Sequence, residues 1–164
     1  MVRTTSNCSS QVHGMTIPDI KINSPAKINL SLEILRKRND GFHEIKSIVQ
    51  TVSLSDIIEI SSHGNIDVNV LNACIPIHEN LAFKAAQALQ KFAGCYKGAN
   101  ITINKKIPLA AGLGGGSSNA ATVLIALNEL WDLNLTHDQL LFLASELGAD
   151  VPFFLTGGTA FIEG

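Results

Sequence analysis

Pro108-Leu-Ala-Ala-Gly-Leu-Gly-Gly-Gly-Ser-Ser118 runs straight into Asn119-Ala-Ala-Thr-Val-Leu-Ile-Ala-Leu127, a glycine run delivering the chain into an apolar helix that extends to about Trp131. Four glycines within Gly112–Gly116 cost conformational entropy, so the run needs a reason. Glycines let backbone N–H groups approach an anion closely, and the helix that follows aims its positive end at the same point. The combination reads as a phosphate cradle, with Ser117 and Ser118 offering hydroxyls to phosphate or magnesium. A plain linker before a capped helix is the other reading of these residues alone. Known nucleotide loops do not fit. No lysine follows the glycines as in a Walker loop, the third glycine of a dinucleotide fingerprint is missing, and there is no Gly-x-Ser-x-Gly elbow.

Upstream, Lys27-Ile-Asn-Leu-Ser-Leu-Glu-Ile34 alternates apolar and polar residues, the period of a half-buried strand. This predicts that Ile28, Leu30, Leu32 and Ile34 face the core and that Lys27 and Asn29 share the opposite face. Asn39-Asp40-Gly41 ends the strand as a turn. Phe42 to Leu54 fits strand or helix. Asp56–Ile60 and Ile66–Val70 alternate around His63-Gly64-Asn65 and predict a hairpin. A helix is expected from about Glu79 to Phe92, with Gly94 as its stop. Asn100–Lys105 reads as a short strand. Thr136-His-Asp-Gln139 is a capping box opening a helix that closes at Gly148, and Thr159–Glu163 reads as a strand. Strands and helices mix without regular β-α-β alternation, so the class is α+β.

At 164 residues, 46% hydrophobic and 16% charged, the chain has one domain's worth of residues and enough apolar material for a core. Twelve Lys and Arg against fourteen Asp and Glu leave a net charge of −2, which provides no basic field for nucleic acid or an anionic membrane. Apolar runs such as Ala120–Leu127 fall short of the roughly 20 residues of a spanning helix. Three cysteines, Cys8, Cys74 and Cys95, show no metal spacing and suggest free thiols in a reducing compartment, with bacterial cytoplasm as the default location. Residues 1–14 are rich in Ser and Thr with no acid. They read as a disordered leader or the stretch upstream of a second start at Met15, or as the remnant of an organelle-targeting segment.

Lys27 and Asp150, the latter in Gly148-Ala-Asp-Val-Pro-Phe153, are the remaining candidates for chemistry. Phosphoryl transfer to an alcohol needs positioned phosphates, positive charge on the transferring group and a carboxylate for the hydroxyl proton. Singly, each also reads as an ordinary surface or turn residue. His43 stands at the exit of the predicted turn. His13, His63, His78, His137, Tyr96 and Trp131 form no constellation and read as structural.

Three ordered segments resemble the GHMP small-molecule kinases: Ser24-Pro-Ala-Lys-Ile-Asn-Leu30, Pro108 through Ala120, and Gly148 through Phe153. The extra glycines before Ser117-Ser-Asn-Ala120, with Asp40-Gly-Phe-His-Glu44, resemble the branch that phosphorylates a cytidyl-linked methylerythritol in non-mevalonate isoprenoid synthesis. The resemblance runs from about Ile22 to Gly164. It implies a two-layer α+β domain of the ribosomal-protein S-five domain 2 type over residues 15–164, a mixed sheet with helices on one face. It implies ATP and Mg2+ as cofactors and the 2-hydroxyl of the cytidyl substrate as acceptor. Another GHMP small-molecule kinase, or a nucleotide-binding module without turnover, are the alternatives.

The same resemblance implies the roles of individual residues. Lys27 and Asp150 would be the catalytic pair. Pro108, Leu109, Ala110, Ala111, Gly112, Leu113, Gly114, Gly115, Gly116, Ser117 and Ser118 would wrap the ATP phosphates, with Asn80 and Lys105 near the adenine. Asn29, Phe42 and His43 would meet the acceptor. Phe42 stands where relatives often have Tyr, and Val49 where some place an aromatic. The resemblance also implies a second, C-terminal domain that completes the cleft, so the chain is expected to be the N-terminal, ATP-binding half of such a kinase, truncated before that domain.

Overall fold

The computed structural model describes residues 19–37 and 43–163. The expected leader, Cys8, the Asn39-Asp40-Gly41 turn and Phe42 lie outside the described residues. Five strands and four helices follow in the order β1 (Ile20–Lys37), β2 (His43–His63), β3 (Ile66–Leu71), α1 (Leu81–Ala93), β4 (Gly98–Asn104), α2 (Gly115–Leu130), α3 (His137–Leu147), α4 (Val151–Thr156) and β5 (Thr159–Glu163). A single 3-10 turn, Ile77–Glu79, precedes α1.

The sheet runs β1-β2-β4-β3, antiparallel except for the parallel β3–β4 pair. Long β2 keeps β1 along one edge and shares its other edge between β5, at Lys46–Gln50, and β4, at Ile57–His63. Register aligns the core across four strands. Ile20, Ile60, Ile101 and Val68 form one row, and Ile22, Ile58, Ile103 and Val70 the next. Paired residues project to the same face, and these rows lie under α1 and α2, whose Ala82, Ala85, Ala86, Leu89, Val123, Leu124 and Leu127 are buried with them. The other face carries Lys21, Glu59, Thr102 and Asn69, with Lys21 Nζ bonded to Glu59 Oε1 at 2.6 Å. The mixed two-layer α+β class expected from sequence holds.

Local signals place the helices. Gly94 closes α1 in the left-handed region at φ 62°, where a glycine carries no Cβ penalty. Thr136 and Gln139 form the reciprocal capping box that opens α3. Helix α4 was not expected from sequence. It is only six residues long, with proline in its first turn.

Two strand expectations are corrected. His63-Gly64-Asn65 does not close a hairpin: β3 pairs with β4, which inserts between β2 and β3 and is buried along most of its length. The burial expected along β1 is not found either. Ile28, Leu30, Leu32 and Ile34 are exposed, whereas Ser24, Ala26 and Lys27 are buried. Irregularities between Pro25 and Lys27 and between Asn29 and Ser31 reset the alternation. Asn29 pairs with buried Val49 but is itself exposed. The ambiguous Phe42–Leu54 stretch is strand from His43 onward. Cys74 and Cys95 are free thiols, and no helix among the described residues is long and apolar enough to cross a membrane.

Candidate active site

The glycine loop crosses from the end of β4 to the start of α2. Its backbone enters the left-handed region at Ala110 (φ 54°), Gly112 (φ 72°) and Gly114 (φ 69°). At Gly114 the requirement is steric as well. An added Cβ would lie 2.8 Å from the Phe154 ring and 3.0 Å from Lys27 Cγ, so only glycine lets the loop, β1 and α4 converge here. The convergence is fastened by Lys27 N–H donating to the Leu113 carbonyl at 2.9 Å.

Lys27 is therefore held, not solvated. Its backbone bonds the loop, its stem packs at Gly114, and its Nζ donates to Asn29 Oδ1 at 2.8 Å and stands 3.5 Å from Asp150 Oδ2. Asn29 Nδ2 in turn donates to Ser47 Oγ at 2.7 Å, and Ser47 Oγ donates to the Ser31 carbonyl at 2.6 Å. Asp150 sits at the N-cap of α4, but its side chain caps nothing. Its carboxylate is nearly half exposed beside the buried ammonium. An ammonium held at a fixed point and an accessible carboxylate next to it are the two charges that alcohol phosphorylation requires.

A groove of about 210 Å³ lies along the loop, lined by residues 108–117 together with Leu81 and Lys105. That is below the roughly 300–1,000 Å³ of pockets that enclose a whole ligand. Ser117 lines it, but Ser118 is fully buried with its Oγ 2.8 Å from Ser24 Oγ, so Ser117 is the hydroxyl facing the groove.

The other expected site residues divide. Asn80 is buried as the N-cap of α1, its Oδ1 accepting from Ala82 N–H at 3.0 Å. Lys105 borders the groove, yet its ammonium is paired inward with Asp56, which is fully buried. Phe42 lies outside the described residues, and His43 enters as the first residue of β2.

Asp56 is the site residue that sequence reasoning missed. Its Oδ1 accepts from the backbone N–H groups of Lys106 (2.7 Å) and Ile107 (2.9 Å), and its Oδ2 from Asn119 Nδ2 (2.9 Å) and Lys105 Nζ. Burial pushes its pKa up, but the hydrogen bonds from Ile107, Lys105, Lys106 and Asn119 outweigh this and hold it below the ordinary value of 3.8. The available signal was phase. Asp56 falls in step with Ile58 and Ile60 on the core face of an alternating strand, where an acid demands a partner.

Comparison with known proteins gives three findings. The family model of the GHMP kinases N terminal domain matches residues 80–158. A 4-diphosphocytidyl-2-C-methyl-D-erythritol kinase from Carboxydothermus hydrogenoformans is 51% identical over 142 residues, covering 86% of this chain and 49% of that protein, and one from Prochlorococcus marinus is 49% identical over 144 residues, covering 86% and 46%. A crystal structure of 4-(cytidine 5'-diphospho)-2C-methyl-D-erythritol kinase superposes with a TM-score of 0.77 at 39% identity, covering 88% of this chain and 52% of the other. The chain spans about half the length of the curated relatives it matches.

Proposed function

We propose that this chain carries the N-terminal domain of a GHMP kinase and serves ATP-dependent phosphorylation of the 2-hydroxyl of 4-diphosphocytidyl-2-C-methyl-D-erythritol. The observation that carries the reading is the 3.5 Å approach of Lys27 Nζ to Asp150 Oδ2 beside the glycine loop. The relatives' names supply the acceptor.

In this reading the backbone N–H groups of the loop and the first turn of α2 hold the ATP phosphates along the groove that the loop lines. Asp150 accepts or orients the proton of the attacking hydroxyl. Lys27, kept in place by Asn29, offsets charge developing on the transferred phosphoryl group. Asn29, Phe42 and His43 face the acceptor, and Asn80 and Lys105 support the nucleotide end of the groove. Among the described residues no group of three or more His, Cys, Asp or Glu could hold a metal ion. Mg2+ would be held chiefly by the nucleotide phosphates, with Ser117 offering a hydroxyl from the groove lining, and would supply charge neutralisation there. The intracellular setting of isoprenoid precursor synthesis and a second domain closing the cleft complete the proposal.

The test is ADP release from Mg·ATP with the cytidyl acceptor, run beside mevalonate and homoserine, with Lys27→Ala and Asp150→Ala as controls. Turnover with the cytidyl acceptor alone, lost in both variants, is the expected result. Turnover with another acceptor would transfer the chain to a different branch. Nucleotide binding without turnover on any acceptor would make it a binding module.

A further inference from the structure

We propose that Asp56 is the positioning residue of the glycine loop. One buried carboxylate fastens the segment leading into the loop to the helix leading out of it, and so sets the geometry in which the loop meets phosphate. The functional half of this inference rests on the kinase reading; the structural half does not.

The loop has little of its own to hold it. Three left-handed residues interrupt any regular hydrogen bonding, and the Lys27–Leu113 bond fixes it at one point. Its two ends are a different matter. Lys106 and Ile107, at the entrance, donate their backbone N–H groups to Asp56 Oδ1. Asn119, on the second turn of α2, donates to Asp56 Oδ2 and to Ser24 Oγ at 3.0 Å, and accepts from Lys105 Nζ at 3.3 Å. Both ends of the loop therefore meet on one side chain that belongs to neither.

Four donors converge on Asp56: two peptide N–H groups, an amide and an ammonium. A carboxylate accepts all four, whereas an amide would present two hydrogens to two of these donors. A buried ion pair is a poor source of stability compared with apolar packing, so its presence here calls for a geometric reason. The position supplies one. A Cβ built on Gly115 would lie 3.1 Å from Lys105 Nζ, so the pair sits directly beneath the first residue of α2, where the loop becomes helix.

The test combines hydrogen exchange with nucleotide binding on the full chain. Asp56→Asn leaves Lys105 unpaired and sets amide hydrogens against amide hydrogens. The swap Asp56→Asn with Asn119→Asp keeps one carboxylate, one amide and the lysine. In Asp56→Asn, amide exchange across residues 106–118 should quicken at least tenfold while α1 and α3 stay within twofold of wild type. The Kd for a fluorescent Mg·ATP analogue should rise at least tenfold, and the swap should return both to within threefold. Asn119→Ala, which keeps the Asp56–Lys105 pair, guards against a single variant that does not fold; it should loosen residues 113–118 locally. Exchange that quickens evenly through α1 and α3, unchanged loop exchange in the folded variants, or a folded swap that restores neither readout would each overturn the positioning role. Failure of wild type to bind the analogue would instead strike the kinase reading, with the exchange pattern still deciding how the loop is held.

Discussion

The backbone N–H of Lys27 donates to the carbonyl of Leu113 at 2.9 Å, so the strand that carries the proposed phosphoryl-stabilising lysine and the loop that would hold the phosphates form one hydrogen-bonded unit. The main chain thereby fixes where the lysine stem starts relative to the loop. The side chain adds to this by packing at Gly114 and bonding Asn29.

Gly114→Ala should damage both stability and activity. A methyl group there meets the Phe154 ring at 2.8 Å and Lys27 Cγ at 3.0 Å, on a backbone at φ 69°. Overpacking of this kind costs about 1–3 kcal/mol, and the left-handed conformation adds about 1–2 kcal/mol. A lower Tm with a larger fall in turnover than Gly112→Ala is the expected outcome. Position 112 shares the positive φ but has open space around a Cβ, which isolates the steric part.

Asp150→Asn should lower kcat by about 10²–10⁴, the range for a lost general base, while Mg·ATP affinity stays close to wild type. The carboxylate caps no helix and is nearly half exposed, so little stability is tied to it. Steady-state kinetics in both substrates, with a thermal melt as control, separates the two effects. An unchanged kcat would remove Asp150 from the chemistry.

The acid limb of stability should report Asp56. Its folded pKa is depressed, so its contribution is present above the ordinary value of 3.8 and is lost as pH falls through the lower folded value. Urea midpoints measured from pH 6 to pH 2 should therefore drop more steeply for wild type than for Asp56→Asn with Lys105→Met, which removes both charges together. Below about pH 4 wild type should lose midpoint relative to the variant, so that the contribution of Asp56 present at pH 6 disappears. Parallel curves would mean that Asp56 is equally acidic in the unfolded chain.

What the sequence made legible was local. The capping box at Thr136, the stop at Gly94 and the glycine run into α2 each lie within a few residues, and each appears as expected. Register is not local. The irregularities that break the alternation around Lys27 and Asn29 depend on how β1 meets β2, and the insertion of β4 beside β2 defeats the apparent hairpin. Asp56 draws its partners from 49 to 63 residues away, so its role emerges only once the strands are paired. The site residues legible beforehand were those whose motifs are contiguous.

Ser47 gives the last prediction. It is 1% exposed on β2, accepts from Asn29 Nδ2 at 2.7 Å and donates to the Ser31 carbonyl at 2.6 Å. Those bonds orient the Asn29 amide with Oδ1 toward Lys27 Nζ, so Ser47 acts on the lysine through Asn29. Ser47→Ala removes the acceptor of the Asn29 amide and the bond to the Ser31 carbonyl, about 0.5–1.5 kcal/mol per hydrogen bond. Ser47→Thr keeps the hydroxyl. Ser47→Ala should therefore lower Tm and also reduce kcat several-fold with the KM for ATP little changed, while Ser47→Thr recovers most of the kcat. A loss of Tm alone, with kcat intact, would make Ser47 a packing residue and leave Lys27 positioned by its backbone bond to Leu113.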